Sequence, residues 1–145
     1  MRFSTMARRA PGRLVTGAFI LNFGLSKLEA DEETAAHLHG MAAGAYPFLA
    51  KMKPKDFARL LSYSEIALGT ALLLPIVPAG LAGLGLTAFS GALVGVYART
   101  PGMTKEGSLL PTQQGIALAK DAWMLGIGLT LVLDEITERG RRGDG

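Results

Sequence analysis

The chain has 145 residues, of which 49% are hydrophobic and only 19% are charged, a balance unusual for a soluble domain. It contains no cysteine, which excludes disulfides, thiolate metal sites and thiol redox chemistry by this chain. The net charge is +3, but the basic residues flank apolar runs. We therefore interpret them as charges that orient membrane helices and expect no nucleic-acid partner.

The first predicted membrane helix covers residues 13–28. The first thirteen residues of the chain contain four arginines and no acidic residue. A basic leader and a short apolar run are also typical of a signal peptide. The one cleavage-like sequence, Leu-Glu-Ala at 28–30, is poor. We therefore favour a membrane helix over a signal peptide.

Residues 35–50 form a softer apolar stretch between an acidic patch and three lysines. Gly40, Gly44 and Pro47 interrupt it, so it is too broken to cross a membrane, which takes about 20 apolar residues. We expect this segment to lie on the membrane surface or to fold back onto the other helices. Its two histidines, His37 and His39, are too few to predict a metal site.

The segment Ile66–Ala98 contains no charged residue at any position. Pro75 and Pro78 divide it near its middle, and proline disfavours a continuous helix. The pattern predicts a hairpin of two membrane helices, at residues 60–77 and 79–98.

A polar loop then leads to a fourth predicted helix, residues 116–133, and a basic tail. The sequence thus predicts an all-α integral membrane four-helix bundle, a single domain over residues 1–145. A re-entrant or interfacial segment lies between its first two helices. Four crossings put both termini on one side, and the leading arginines favour the cytoplasm. A soluble helical bundle is the alternative.

Four ionisable residues fall inside the predicted membrane helices: Lys27, Glu65, Lys120 and Asp121. The topology puts them within roughly 10 Å of one another in depth, on the face away from the termini. Charges inside a membrane usually face a partner or a cavity. We expect Lys120 to pair with Glu65, and Asp121 to pair with Lys27.

This charge layer has three interpretations. Internal ion pairs can simply lock a bundle together and fix its register. The layer can instead bind a quinone headgroup, a proton or a small anion, or it can contact another subunit. Three further residues are candidate contributors: Tyr97 and Arg99 at the same level, and Asn22 about one turn before Lys27, where it can hydrogen-bond across the bundle.

Residues 13–28, 65–75 and 115–126 together resemble DoxX-type small bacterial membrane proteins. In the first segment the similar residues are Arg13, Leu14, Gly17, Phe19, Gly24, Lys27 and Leu28. The second has an acid followed by a run rich in Gly and Leu, and the third contains a Lys-Asp pair. The resemblance extends over about residues 13–134.

The resemblance implies a multi-pass protein of the bacterial inner membrane. It also implies an accessory or structural subunit near a quinone-linked or stress-related membrane oxidoreductase assembly. The expected partners are the lipid bilayer and subunits of that assembly. No catalytic or cofactor motif is found in the sequence, so we expect no catalytic residue, no metal and no activity by the chain alone. A quinone is the one cofactor that the charge layer could bind.

Two alternative functions remain open. One is a membrane protein that binds a quinone or another small ligand through the charge layer. The other is a small transporter, although four short helices without an evident inverted repeat offer little pathway.

Overall fold

The computed structural model describes residues 3–99 and 121–143, and over these ranges the chain is helical with no strand. The helices are α1 Phe3–Leu28, α2 Glu32–Ala45, α3 Pro54–Leu73, α4 Ala79–Arg99 and α5 Asp121–Gly143. A 3₁₀ turn, Pro47–Lys51, lies between α2 and α3. The predicted all-α fold class is confirmed. Lys120 and the rest of residues 116–120 lie outside the described ranges.

Local sequence signals explain several helix ends. Asp31 caps α2, since its carboxylate accepts a hydrogen bond of 2.8 Å from the Thr34 amide. Pro54 occupies the first turn of α3, where its missing amide leaves no hydrogen bond unmade. Pro75 and Pro78 lie between α3 and α4, where the sequence predicts the break, although the predicted helix 60–77 extends past Pro75.

The first and last helices, α1 and α5, are longer than predicted. α1 begins at Phe3, well before the predicted start at residue 13. α5 continues to Gly143, past the predicted end at residue 133. The physical reason is that these extensions lie against each other and exchange ion pairs, which favours helix on both sides. The apolar run therefore marks only part of each helix.

Of α3 and α4, only α4 agrees closely with prediction. α4, predicted at 79–98, spans Ala79–Arg99. α3, predicted at 60–77, spans Pro54–Leu73, because a proline begins it and another stops it.

Two helix pairs dominate the packing, α1 with α3 and α4 with α5. Each pair approaches closely through a glycine. A Cβ at Gly69 of α3 would lie 2.7 Å from the Leu21 nitrogen of α1. A Cβ at Gly128 of α5 would lie 2.8 Å from the Thr87 nitrogen of α4. Small residues at such contacts bring helix backbones together.

The two pairs meet in a small apolar core formed by Ile20, Leu72, Ala79, Ala82, Leu86 and Leu131. α2 packs against α3 and α4. The middle segment therefore folds back onto the bundle, which is one of the two predicted arrangements.

The exterior of the bundle is rich in large apolar side chains, whereas several charged and polar side chains are buried. The exposed set includes Leu14, Val15, Phe19, Leu60, Leu81, Leu84, Trp123, Leu129 and Leu133. The buried set includes Arg9, Arg13, Ser62, Glu65, Ser90 and Asp121. Burial of this many charged and polar side chains is unusual for a small soluble domain.

Among the described helices, α4 alone is long and apolar enough to cross a membrane, judged by length and composition. A share of 33% of its apolar window is buried, and the rest is half-buried or exposed. Of the four predicted crossings, this criterion thus supports the one at 79–98.

Candidate functional site

Part of the predicted charge layer lies where α1 ends. The Lys27 ammonium donates to both oxygens of the Glu65 carboxylate, at 2.9 Å each. Glu65 is only 4% exposed. Gly24 makes this approach possible, since the α3 backbone at Ile66 lies directly against it. Two charge-assisted hydrogen bonds help to offset the cost of burying the carboxylate.

This pairing differs from the predicted one. The sequence predicts Asp121 as the partner of Lys27, but the ammonium binds Glu65. The reason is that α1 packs closely along α3 and only slightly against α5, so the carboxylate nearest to Lys27 is on α3. Lys120, the predicted partner of Glu65, lies outside the described residues.

Asp121 begins α5 and is 2% exposed. Its depth in the bundle can be compared with that of Glu65. Asp134 contacts Arg9, and Asp121 lies about 20 Å from Asp134 along α5. Glu65 contacts Gly24, which lies about 22 Å from Arg9 along α1. The two buried carboxylates are thus at similar depth, although they belong to different helix pairs.

Asn22 does not join this layer. It is exposed on α1, and it lies about 140° around the helix from Lys27 because each residue turns the helix by about 100°. Its backbone carbonyl accepts a hydrogen bond of 2.8 Å from the Ser26 hydroxyl. Tyr97, by contrast, is buried on α4 as a contributor to an interior layer would be.

Arg99 holds α4 to the α2 segment instead of joining the Lys27–Glu65 pair. Its guanidinium donates to the Ala45 carbonyl at 3.0 Å and lies 5.2 Å from the centroid of the Tyr46 ring. The Tyr46 hydroxyl in turn donates to the Ala92 carbonyl at 2.8 Å. Gly95 makes room for this hydroxyl, because a Cβ there would overlap it.

The two histidines of the middle segment lie on α2, in a helix and not in a loop. His39 Nε2 lies 2.8 Å from the Leu49 carbonyl oxygen, which ties α2 to the 3₁₀ turn. Within residues 3–99 and 121–143, no group of three or more His, Cys, Asp or Glu could hold a metal ion.

A cleft of about 670 Å³ opens beside Lys27. It lies between the end of α1 and the first turns of α2 and α3. The charged residues that line it are Lys27, Asp31, Glu32, Lys53, Lys55 and Arg59. A small polar molecule in this cleft could therefore reach Lys27 without entering the core.

A second ionic network, which the sequence reasoning missed, lies at the opposite end of the bundle. We call it the terminal cluster; its members are Arg8, Arg9, Asp134, Glu135 and Glu138. Arg9 is 5% exposed and binds Asp134 as well as Glu135, the latter at 3.0 Å. Arg8 binds Asp134 at 2.7 Å and Glu138 at 3.1 Å.

A sequence signal for this cluster exists. Asp134 and Glu138 are four residues apart and so lie on one face of α5. Adjacent arginines at positions 8 and 9 can match such a face. The sequence analysis took only the apolar runs as helices. It therefore assigned residues 8–9 and 134–138 to the tails and missed this signal. The same geometry brings the start of α1 and the end of α5 to one end of the bundle.

Arg13 lies one turn further into the bundle and closes the end of α3. Its guanidinium donates hydrogen bonds of 2.8–3.0 Å to the carbonyls of Ala71, Leu72, Leu74 and Val77. The last carbonyls of a helix lack partners within it, and Pro75 and Pro78 have no amide to offer. Arginine has five N–H donors, so one side chain serves four acceptors.

The terminal cluster also affects the ionisation of Asp134, which follows the predicted membrane span. Burial by itself would raise the pKa of the Asp134 carboxyl. Hydrogen bonds and charge from Arg9 and Arg8 outweigh this effect and hold the pKa below its usual range. The carboxylate is therefore stabilised in its charged form.

The described geometry defines the chain as a helical bundle with a small apolar core, a few buried charged groups and many large apolar side chains on its surface. Compared with protein-family models, with curated proteins and with solved structures, the chain matches none. Its function is therefore inferred from its own geometry and charge.

Proposed function

We propose that the chain is a DoxX-like integral membrane protein of the bacterial inner membrane. In this proposal it is an accessory or structural subunit of a quinone-linked or stress-related membrane oxidoreductase assembly. The observation that carries the proposal is the exposed apolar surface of the bundle. Leu81 and Leu133 are more than half exposed, and Trp123 is 78% exposed. Such side chains are unfavourable in water but are well solvated by lipid tails.

The buried charges are consistent with the same environment. Charged side chains in membrane bundles face the interior and bind one another or backbone carbonyls. Arg13 binds carbonyls, and Lys27 binds Glu65. If the bundle were surrounded by water, the charged side chains would be more stable on its surface and the leucines in its interior.

The distance between the charged residues Arg13 and Lys27 along α1 fits a bilayer only if other parts of the protein shield these charges from lipid. The uncharged stretch of α1 from Arg13 to Lys27 is about 21 Å long, whereas the hydrocarbon core is about 30 Å thick. Both charged ends would then reach into the margins of the core. Burial of Arg13 and Glu65 provides the shielding that this placement requires.

The ion pairs of the terminal cluster support a structural role. In the terminal cluster both arginines bind two carboxylates each, and Glu135 also accepts a hydrogen bond of 3.2 Å from Arg139. Groups bound in this way hold helices together and are poorly placed to transfer protons or bind substrate. We therefore assign the chain no catalytic activity of its own.

Alkaline carbonate extraction of native membranes tests the first part of the proposal. The chain should remain in the membrane pellet, and a fluorescent reporter fused to either terminus should report the cytoplasm. Release into the supernatant would contradict membrane integration and favour the soluble-bundle alternative.

A pull-down in mild detergent from the native host tests the accessory role. Co-purification of an oxidoreductase subunit in stable proportion is the expected result. A homogeneous chain that captures no partner from its own membrane would contradict this role while leaving membrane integration intact.

A second function, the binding of a quinone or another small ligand, is favoured by the cleft beside Lys27. A quinone oxygen could accept a hydrogen bond from the Lys27 ammonium. Short-chain quinone should then raise the melting temperature of the protein, and Lys27→Met should abolish that rise. Arg8→Met, at the other end of the bundle, is the matched control. Equal responses of the two variants would exclude this site.

A further inference from the structure

The cleft of about 670 Å³ at the end of α1 has two walls of opposite charge. The acidic wall, at the start of α2, consists of Asp31 and Glu32; the basic wall, in the first two turns of α3, consists of Lys53, Lys55 and Arg59. Within residues 3–99 and 121–143, no ion pair involves any of these five side chains. The cleft therefore keeps opposite charges apart instead of neutralising them across it.

The stability of α3 does not explain the basic wall. Lys53 is the N-cap residue and Lys55 lies in the first turn, where positive charge opposes the helix dipole. Lys55 and Arg59 are four residues apart, so like charges repel on one face of the helix. Departures of this kind from local preference are expected at functional sites.

Membrane orientation does not explain the basic wall either. In the proposed topology the cleft lies at the end of the bundle away from the cytoplasm, whereas lysine and arginine favour the cytoplasmic side. The acidic wall, in contrast, suits its position, because acidic residues stabilise the start of a helix and Asp31 caps α2. The three basic side chains thus point to a bound anionic group.

We propose that the cleft binds a zwitterion that carries a phosphate and a primary ammonium group, the chemistry of phosphoethanolamine. The phosphate oxygens accept hydrogen bonds from the basic wall, and the ammonium donates to the carboxylates of the acidic wall. This site goes beyond the quinone alternative, because an uncharged quinone would use Lys27 and leave both walls unpaired. It also does not depend on membrane integration.

The charges of both walls select this ligand over its parts. Several basic side chains suit a group with several acceptor oxygens, as a phosphate has. A phosphate alone, however, is repelled by Asp31 and Glu32, and an ammonium alone is repelled by the basic wall. Only a molecule with both groups is attracted by both walls.

The same chemistry is available from two sources, free phosphoethanolamine and the headgroup of phosphatidylethanolamine. Leu28 lines the cleft and is 46% exposed, so the cleft borders the apolar exterior of the bundle. A lipid headgroup can therefore enter it from the membrane surface, and a free molecule can enter it from water.

Two pairs of variants separate the walls from their surroundings. Lys55→Ala changes the basic wall, and Lys51→Ala is its control, because Lys51 is an exposed lysine that does not line the cleft. Glu32→Gln changes the acidic wall, and Glu33→Gln is its control, because Glu33 is exposed in the same turn of α2 and does not line the cleft. All four positions are exposed, so each variant should fold, which circular dichroism verifies.

Isothermal titration calorimetry measures the affinity of full-length protein in an uncharged detergent for phosphoethanolamine, inorganic phosphate and ethanolamine, each added alone. Phosphoethanolamine should bind about fivefold more tightly than either of the other two. Lys55→Ala should weaken the binding of phosphoethanolamine and of phosphate by about fivefold. Glu32→Gln should weaken phosphoethanolamine but not phosphate, which gains nothing from the acidic wall. Both control variants should bind as the natural chain does.

The source of the ligand is tested with short-chain phosphatidylethanolamine. An affinity about tenfold or more above that of free phosphoethanolamine assigns the site to a lipid headgroup, because apolar contacts then contribute. An affinity no higher than that of the free molecule assigns it to a soluble zwitterion. Phosphatidylglycerol with the same acyl chains, which has no ammonium, should bind more weakly than phosphatidylethanolamine.

Two results would overturn the zwitterion site. One is equal affinity for phosphoethanolamine and inorganic phosphate, because the acidic wall would then contribute nothing. The other is an equal response of Glu32→Gln and Glu33→Gln, since only Glu32 lines the cleft. Release of the chain by carbonate extraction would contradict the proposed membrane function and leave the titration with free phosphoethanolamine valid, so the two failures are distinguishable.

Discussion

The two charged ends of the bundle use similar residues in different ways. The terminal cluster joins α1 to α5 through arginines that each bind two carboxylates. At the other end a single lysine binds Glu65 beside an open cleft. The planar guanidinium can bridge several acceptors, whereas an ammonium is a compact point charge. The first arrangement is therefore suited to fixing helices, and the second leaves a cation within reach of a ligand.

The largest expected effect concerns Arg13. Arg13→Ala removes the side-chain donors of the Ala71 and Leu72 carbonyls at the end of α3, and we expect a loss of about 4 kcal/mol in the free energy of unfolding. Arg13→Lys should recover only a small part, since three rotatable donors cannot reproduce the guanidinium fork. Denaturant titration in mild detergent, followed by circular dichroism, measures the loss. Full recovery by lysine would show that charge alone matters here.

The next effect tests whether the terminal cluster fixes helices. Arg9→Met leaves Asp134 and Glu135 without their buried partner, and a loss of about 3 kcal/mol in unfolding free energy is expected. Arg8→Met is the matched control, because Arg8 is half exposed and its removal should have little effect. The same denaturant titration applies. Equal losses in both variants would contradict the special role of Arg9.

A smaller effect is expected at the opposite end. Lys27→Met should lower the unfolding free energy by about 2 kcal/mol, between the values for surface and for buried pairs, because Lys27 remains partly exposed. Ligand responses, in contrast, should change more at Lys27 than at Arg9. A stability loss at Lys27 equal to that at Arg9 would remove the distinction between the two ends.

The smallest effect is the pH dependence of the terminal cluster. The folded-state pKa of Asp134 is lowered, so its contribution is present above its ordinary pKa of about 4 and is lost as the pH falls through the lower folded value. Melting temperature should therefore fall more steeply below pH 4 in the natural chain than in Asp134→Asn. Parallel curves would show that Asp134 does not contribute to acid sensitivity.

Sequence reasoning located some helices well and others poorly. The uncharged segment with its two prolines predicted α4 almost to the residue and placed the break before it. The apolar runs underestimated α1 and α5, whose charged extensions are stabilised by each other. Such stabilisation depends on two segments far apart in the chain and leaves no apolar signal in either one.

The candidate site shows the same limit. Glu65 and Asp121 are buried at similar depth, which follows from helix rise and from the order of the helices. The partner of Lys27 does not follow from depth, because each of the other three predicted membrane helices has a polar residue at that level. Asn22 lies on an exposed side of α1, away from Lys27.

The sequence by itself determined that the chain is helical, that prolines separate α3 from α4, and which charged residues interrupt the apolar runs. These properties depend on local backbone chemistry and on composition, which neighbouring residues set. Only the tertiary structure decided that Lys27 binds Glu65, that Arg13 closes α3, and that the terminal cluster exists. Those contacts depend on which helices approach closely, and glycines such as Gly69 and Gly128 allow that approach only when opposite backbones meet them.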